Sequence, residues 1–196
     1  RLKQATSGNK SANYTYDAYG RMSNITAKSG TKSVVTTNIT FKDPSTTTTS
    51  AQIYKWAVGG TTYTYTYDAR GNMTAISDGS KTTTYVYDSF DQLIRENNQA
   101  AGKTWVYTYD NGGNILTKKE YSYTTGTLGT ALDTITYGYG DSSWKDLLTS
   151  YDGQALTTDT LGNLTNDGTW SYTWQHGRQL AQMSKPNGSG TENINF

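Results

Sequence analysis

Aromatic and small polar residues alternate along much of this chain. Tyr63, Tyr65 and Tyr67 interleave with Thr62, Thr64 and Thr66. Successive side chains of a strand point to opposite faces, so the rings share one face and the threonines the other. The same aromatic-x-aromatic spacing occurs at Tyr14/Tyr16, Tyr85/Tyr87 and Tyr107/Tyr109. It recurs in worn form at Tyr54/Trp56, Tyr121/Tyr123, Tyr137/Tyr139 and Tyr172/Trp174. Tyr, Thr and Trp suit a pleated, half-buried surface, and strong helix formers are sparse. The pattern predicts an all-β protein.

Each clean aromatic pair runs into a turn signal. Asp17, Asp68, Asp88 and Asp110 directly follow the second tyrosine; Gly20, Gly71 and Gly113 come three residues later. Met22, Met73, Leu93 and Ile115 then restart a strand. Asp159 and Gly162 keep the turn without the tyrosines. An aspartate carboxylate accepts hydrogen bonds from main-chain N–H groups two residues on, and glycine takes the positive φ of the turn exit. These Asp and Gly residues are therefore expected to be structural turn residues. Second turns are visible at Ser29-Gly30, Gly59-Gly60, Asp78-Gly79, Ala101-Gly102 and Asp167-Gly168. Two strands and two short turns make a unit of roughly 20 residues, the spacing of the clean copies. The expected architecture is an array of antiparallel hairpins.

A single array is expected over 1–196, with partial repeats at both ends. Three stretches break it. Residues 41–52, with Asp43-Pro44 and a threonine run, read as a degenerate repeat or a longer loop. Residues 141–148 are irregular and suggest a short helix with Asp141 or Ser142 as N-cap. Residues 186–191, Pro-Asn-Gly-Ser-Gly-Thr, read as a turn or linker. Arg1-Leu2 matches the restart after a turn, and Asn193 to Phe196 reads as the opening of another strand. The chain is thus expected to be a piece of a longer array. Its flanking repeats would be its partners, and exposed sheet edges would invite self-association.

Composition narrows the function classes. Hydrophobic residues are only 33% of 196, yet aromatics are 13%, with 17 tyrosines and 5 tryptophans. A disordered chain has few aromatics and high net charge, whereas this one carries +1. The core must rest on Tyr, Trp and a few aliphatics. Near-neutral charge gives no footprint for nucleic acid, and Lys118-Lys119 is the densest basic pair. No apolar run approaches a membrane span. The absence of cysteine excludes disulfides, thiol catalysis and cysteine metal sites.

The recurring Tyr-x-Tyr-Asp-x-x-Gly-Asn/Arg-Met/Leu/Ile, at Tyr14–Met22, Tyr65–Met73 and Tyr107–Ile115, resembles the YD repeat of the Rhs family. That family includes bacterial Rhs polymorphic toxins, Gram-positive wall-associated proteins, shell subunits of insecticidal toxin complexes and the animal teneurins. Residues 144–153 and 172–180 look most like the Gram-positive, secreted branch. The resemblance implies a curled or spiral β-sheet, part of a shell that encloses or presents a C-terminal toxin or other effector. It implies a bacterial protein that is secreted or at the cell surface. Some YD repeats are associated with carbohydrate, so surface glycans are a second class of partner. The family's Asp-Pro-x-Gly-Leu-type self-cleavage motif is absent: Asp43-Pro44 is followed by Ser45.

Candidate chemistry is weak. Catalytic carboxylates need two different environments on one substrate, whereas Asp17, Asp68, Asp88, Asp110 and Asp159 recur in equivalent turns. Capping explains them, with calcium at stacked turns as the other reading. His176 is the only histidine and falls in a turn beside Gly177. Asn187-Gly188-Ser189-Gly190 only loosely resembles a nucleophile elbow, and Gly112-Gly113 lacks phosphate-loop spacing. No enzyme activity, cofactor or metal is expected. The tyrosine face, Tyr65, Tyr67, Tyr85, Tyr87, Tyr107 and Tyr109, is the functional candidate. It would either pack in cross-strand ladders or stack sugar rings or a partner's peptide. Two readings follow: a shell segment, or an adhesive module.

Overall fold

A computed structural model describes residues 1–43 and 48–196. Among the described residues it is all-β, with nineteen strands and no helix. Two compact units divide it: Arg1–Thr104 with Tyr123–Thr125, and Trp105–Ser122 with Gly126–Phe196.

The first unit is an antiparallel meander. Its strands are β1 (Gln4–Ser7), β2 (Lys10–Tyr16), β3 (Met22–Ser29), β4 (Lys32–Phe41), β5 (Ile53–Val58), β6 (Thr61–Tyr67), β7 (Met73–Ser77), β8 (Thr82–Tyr87) and β9 (Leu93–Asn98), with the start of β10 (Lys103–Tyr109). Each strand from β1 to β9 pairs with the next in sequence. The register explains the sequence pattern: Tyr14 faces Ile25, Tyr65 faces Ile76, Tyr67 faces Met73 and Tyr87 faces Leu93. Each directly opposed ring–aliphatic pair contributes roughly 0.2–1 kcal/mol. Thr62 and Thr66 lie exposed on the other face. Between β5 and β6, Gly59 and Gly60 have φ of 58° and 88°. A two-residue turn with both values positive matches the twist of its strands, and only glycine adopts it without cost.

The second unit continues with the rest of β10, then β11 (Ile115–Ser122), β12 (Asp133–Gly138), β13 (Ser150–Tyr151) and β14 (Gln154–Ala155). A separate five-stranded sheet follows in chain order: β15 (Thr157–Thr158), β16 (Leu164–Asn166), β17 (Ser171–Gln175), β18 (Gln179–Asn187) and β19 (Gly190–Asn195). Trp144 packs where a side chain on Gly162 would stand, its ring 2.5 Å from the position of a Cβ.

Among the described residues no apolar side chain is fully buried, and the most enclosed groups are the polar Thr104, Asn97 and Asn163. The chain is stabilised by pairing and by half-covered rings, not by an oily interior.

Three sequence expectations are revised. Residues 141–148 form no helix. Asp141 does cap, accepting the N–H groups of Ser143 and Trp144 at 2.8 Å each. One closed turn does not outweigh the cost of nucleating a helix, and Thr149 N–H donating to Gly138 O draws the chain back into pairing. The stretch 186–191 is narrower than a linker. Asn187 pairs with Gly190, and only Gly188 and Ser189 lie outside strands. Asn193 to Asn195 end β19 rather than open a strand. Of 41–52, Phe41 closes β4 and residues 44–47 lie outside the described residues, Pro44 among them.

Candidate functional site

The recurring Asp turn has one geometry. Asp68 Oδ1 accepts the N–H of Arg70 and of Asn72, both at 2.9 Å, and Oδ2 accepts Asn72 Nδ2 at 3.1 Å. Asp68 N–H returns to Asn72 O, and Gly71 N–H donates to Asp68 O. Asp110 holds Gly112, Asn114 and the Asn114 side chain in the same way, and Asp159 holds Leu161, Asn163 and the Asn163 side chain. In the first repeat Asp17 holds Tyr19 and Arg21, and Arg21 Nε replaces the amide at 2.6 Å. Gly20, Gly71, Gly113 and Gly162 have φ of 82°, 97°, 88° and 80°. At Asp88 the pattern departs: Asp91 takes that position with φ 63°. Asn114 side-chain and backbone hydrogen bonds hold the Asp110 carboxyl below the usual carboxylate range. Asp68 is lowered as well: desolvation opposes, but the Asn72 and Arg70 N–H groups outweigh it.

Sequence reasoning missed the residue after the glycine. Asn72 Nδ2 also donates to Asp91 Oδ1 at 2.6 Å, in the next turn along the array. Arg70 joins them, 3.1 Å from Asp91. Asn114 Nδ2 reaches Asp146 at 3.2 Å, and Asn163 Nδ2 reaches Gly177 O at 2.7 Å. Arg21 reaches Asp43 at 2.8 Å and Ser50 O at 2.6 Å, with the Phe41 ring 4.5 Å beneath its guanidinium. This residue both closes its own turn and ties it to the following segment. Its signal was visible: a strong side-chain donor, Asn or Arg, recurs there in four copies.

The tyrosine face is arranged differently from the expected Tyr–Tyr ladders. Strands rich in tyrosine alternate with aliphatic ones, so Tyr65, Tyr67 and Tyr87 meet Ile76, Met73 and Leu93, and Tyr85 meets Glu96, whereas Tyr63 faces Trp56 and Tyr137 faces Tyr151. Tyr65, Tyr67, Tyr85 and Tyr87 are half-buried in the first unit, and Tyr107 and Tyr109 in the second. Burial raises the hydroxyl pKa of Tyr65, Tyr67, Tyr85 and Tyr87. The second tyrosine of the pair has a further duty. Tyr16 OH donates to Leu2 O at 2.6 Å, Tyr67 OH to Ile53 O at 2.8 Å, Tyr87 OH to Met73 O at 2.8 Å and Tyr139 OH to Ile115 O at 3.1 Å. Trp174 Nε1 does the same to Leu164 O at 2.6 Å. Each donor reaches diagonally to the preceding strand, at a main-chain carbonyl near its start.

A polar knot lies on the threonine face of the first unit. Thr104 Oγ donates to Thr124 O and accepts Thr124 N–H, both at 3.0 Å. Asn97 bonds Thr84 at 2.8 Å, and Arg95 spans Asn97 and Thr124 O at 2.7 Å each. Residues 123–125 are thereby strapped over β9. His176 sits in a turn with φ 48°. Among the described residues no group of three or more His, Asp or Glu could hold a metal ion. Among the described residues no helix is long and apolar enough to cross a membrane.

A meander whose hairpins repeat one Asp turn and one tyrosine stitch is a YD-repeat sheet of the shell type. The Teneurin YD-shell family model matches residues 46–142. The chain carries Rhs/YD repeats, and over that segment it is similar to the Teneurin YD-shell family. Two solved structures share the fold. The crystal structure of TcdB2-TccC3-TEV aligns with a TM-score of 0.54 and 15% identity, over 95% of this chain and 13% of that one. The Photorhabdus luminescens Tc holotoxin pore aligns with a TM-score of 0.56 and 16% identity, over 94% of this chain and 11% of that one. The chain thus spans a small part of the structures it matches. No curated protein matches it.

Proposed function

We propose that this chain is a wall segment of a β-shell in a secreted or cell-surface bacterial Rhs-type protein. The shell encloses or presents a toxin or other effector domain, and the segment itself is not an enzyme. The observation that carries this is the way the polar groups are used. The turn carboxylates are spent on closing each hairpin, and the Asn and Arg side chains and second tyrosine hydroxyls described above on joining it to its neighbours, as a wall requires. The flanking repeats are its nearest partners, and the exposed edge of β19, with Ile194 and Phe196 at 41% and 68% exposure, suits self-association. The test is limited proteolysis of the full-length parent protein beside a form lacking this segment. The effector resists cleavage in the intact protein and is cut once the segment is removed; equal resistance in both overturns the reading.

A second reading, an adhesive module for surface glycans or a protein, is favoured by Tyr54 and Trp56. Both are 41% exposed, and Trp56 stands beside Tyr63 at a centroid distance of 6.4 Å. Aromatic faces of this kind stack on sugars. A glycan and cell-wall polysaccharide panel, run with Trp56→Ala and a Tyr85→Ala/Tyr107→Ala variant checked for folding, tests it. Saturable binding lost in a folded variant supports adhesion; no binding by the folded chain rejects it.

A further inference from the structure

Two Asn-Gly steps occur in the chain, Asn111-Gly112 and Asn187-Gly188. Asparagine is a thermolabile residue, and a following glycine places no side chain in the way of its own nitrogen. The two steps lie in different surroundings. Gly112 N–H donates to Asp110 Oδ1 at 2.8 Å, and Asn114 N–H grips the same oxygen at 2.9 Å. That nitrogen is pinned, and the adjacent carboxylate opposes loss of its proton. Asn187 and Gly188, by contrast, are exposed at the tip between β18 and β19, with Gly188 at φ 60°. Among the described residues no hydrogen bond holds the Asn187 carboxamide or the Gly188 N–H. The last pair of β18 with β17 is Ser184 with Ser171; Lys185 still lies over the Trp170 ring at 4.5 Å, but Pro186 and Asn187 pair with β19 alone. A tip supported on one side opens locally more often than one held on both.

We propose that Asn187 is a spontaneous deamidation site in the folded protein, and that Asn111 is protected by its Asp turn. The Gly188 nitrogen attacks Cγ of Asn187. The new N–C bond closes a succinimide, and the carboxamide nitrogen leaves as ammonia with the Gly188 proton. Water then opens either carbonyl of the ring, giving aspartate or isoaspartate. Water enters, ammonia leaves, and no electron is transferred. Isoaspartate lengthens the main chain by a methylene where Asn187 pairs with Gly190. It also adds a carboxylate near the Lys185–Glu192 ion pair, 3.3 Å apart. The modification loosens the terminal hairpin while leaving the Asp turns untouched.

The experiment is peptide mapping by mass spectrometry of the folded chain aged in mildly alkaline buffer, with a parallel sample in denaturant. Deamidation adds about one mass unit to the peptide holding residue 187 several-fold faster than to that holding residue 111, and isoaspartate accompanies aspartate. In denaturant the two sites converge, because the protection belongs to the fold. Asn187→Gln abolishes the fast phase. Equal rates in the folded state, or a difference that persists in denaturant, overturns the proposal.

Discussion

Asn163 shows what one side chain does in this array. It is 7% exposed and spans Asp159 Oδ2 at 2.8 Å and Gly177 O at 2.7 Å. Asn163→Ala leaves the Gly177 carbonyl without that donor and destabilises by roughly 1–3 kcal/mol, read as a lower midpoint in urea. The turn carboxylates set the acid response. Asp110, lowered by Asn114, and Asp159, lowered by the Asn163 side chain, both lie below their ordinary value when folded. In the window between the lowered and the ordinary values, the unfolded chain binds more protons than the folded one. Stability from these groups is therefore present above the ordinary carboxylate range and is lost as pH falls through the lowered values. Thermal melts across the acid range show this loss, and an Asp110→Asn/Asp159→Asn variant has a shallower acid slope. An unchanged slope assigns the acid sensitivity to other groups.

At the scale of the element, the hairpin is held to its predecessor by a tyrosine hydroxyl. Tyr87→Phe keeps the ring opposite Leu93 and removes only the bond to Met73 O. The expected cost is roughly 0.5–1.5 kcal/mol, with faster amide exchange confined to β7 and β8. The strap makes a sharper test. Thr104 is fully enclosed and bonds both main-chain groups of Thr124. Thr104→Val preserves shape but removes the hydroxyl that accepts Thr124 N–H and donates to Thr124 O, leaving Arg95 as that carbonyl's donor, and costs roughly 1–3 kcal/mol. Hydrogen exchange at Thr124 reports it directly, and protection equal to the wild type removes the strap from the account.

At the scale of the molecule, the chain is a series of hairpins whose bonds run mostly to the next hairpin. Such arrays have stability that sums over repeats and their neighbour contacts. With no fully buried apolar side chain among the described residues, neither unit has a central core whose loss unfolds everything at once. The outer strand β19 carries no proline, its one charge, Glu192, is paired with Lys185 at 3.3 Å, and Ile194 is 41% exposed. Sedimentation of the purified chain shows concentration-dependent association, and Ile194→Lys reduces it. A monomer at all concentrations removes self-association from the proposed function.

Strand identity, the faces of the alternating residues and the Asp turns were legible in the sequence. They follow from local chemistry: period-two alternation, carboxylate capping and the positive φ at Gly71 or Gly162. The irregular stretch 141–148 was legible as irregular but not as a turn, because its Asp141 cap is shared by turns and helices alike. What only the tertiary structure decided is who meets whom. Tyr65 faces Ile76 rather than another tyrosine because an aliphatic strand intervenes. Asn72 reaches Asp91, and Thr104 meets Thr124, across 19 and 20 residues of chain. Such pairs depend on strand order and register, which are set by the sum of many pairings and are written in no single residue.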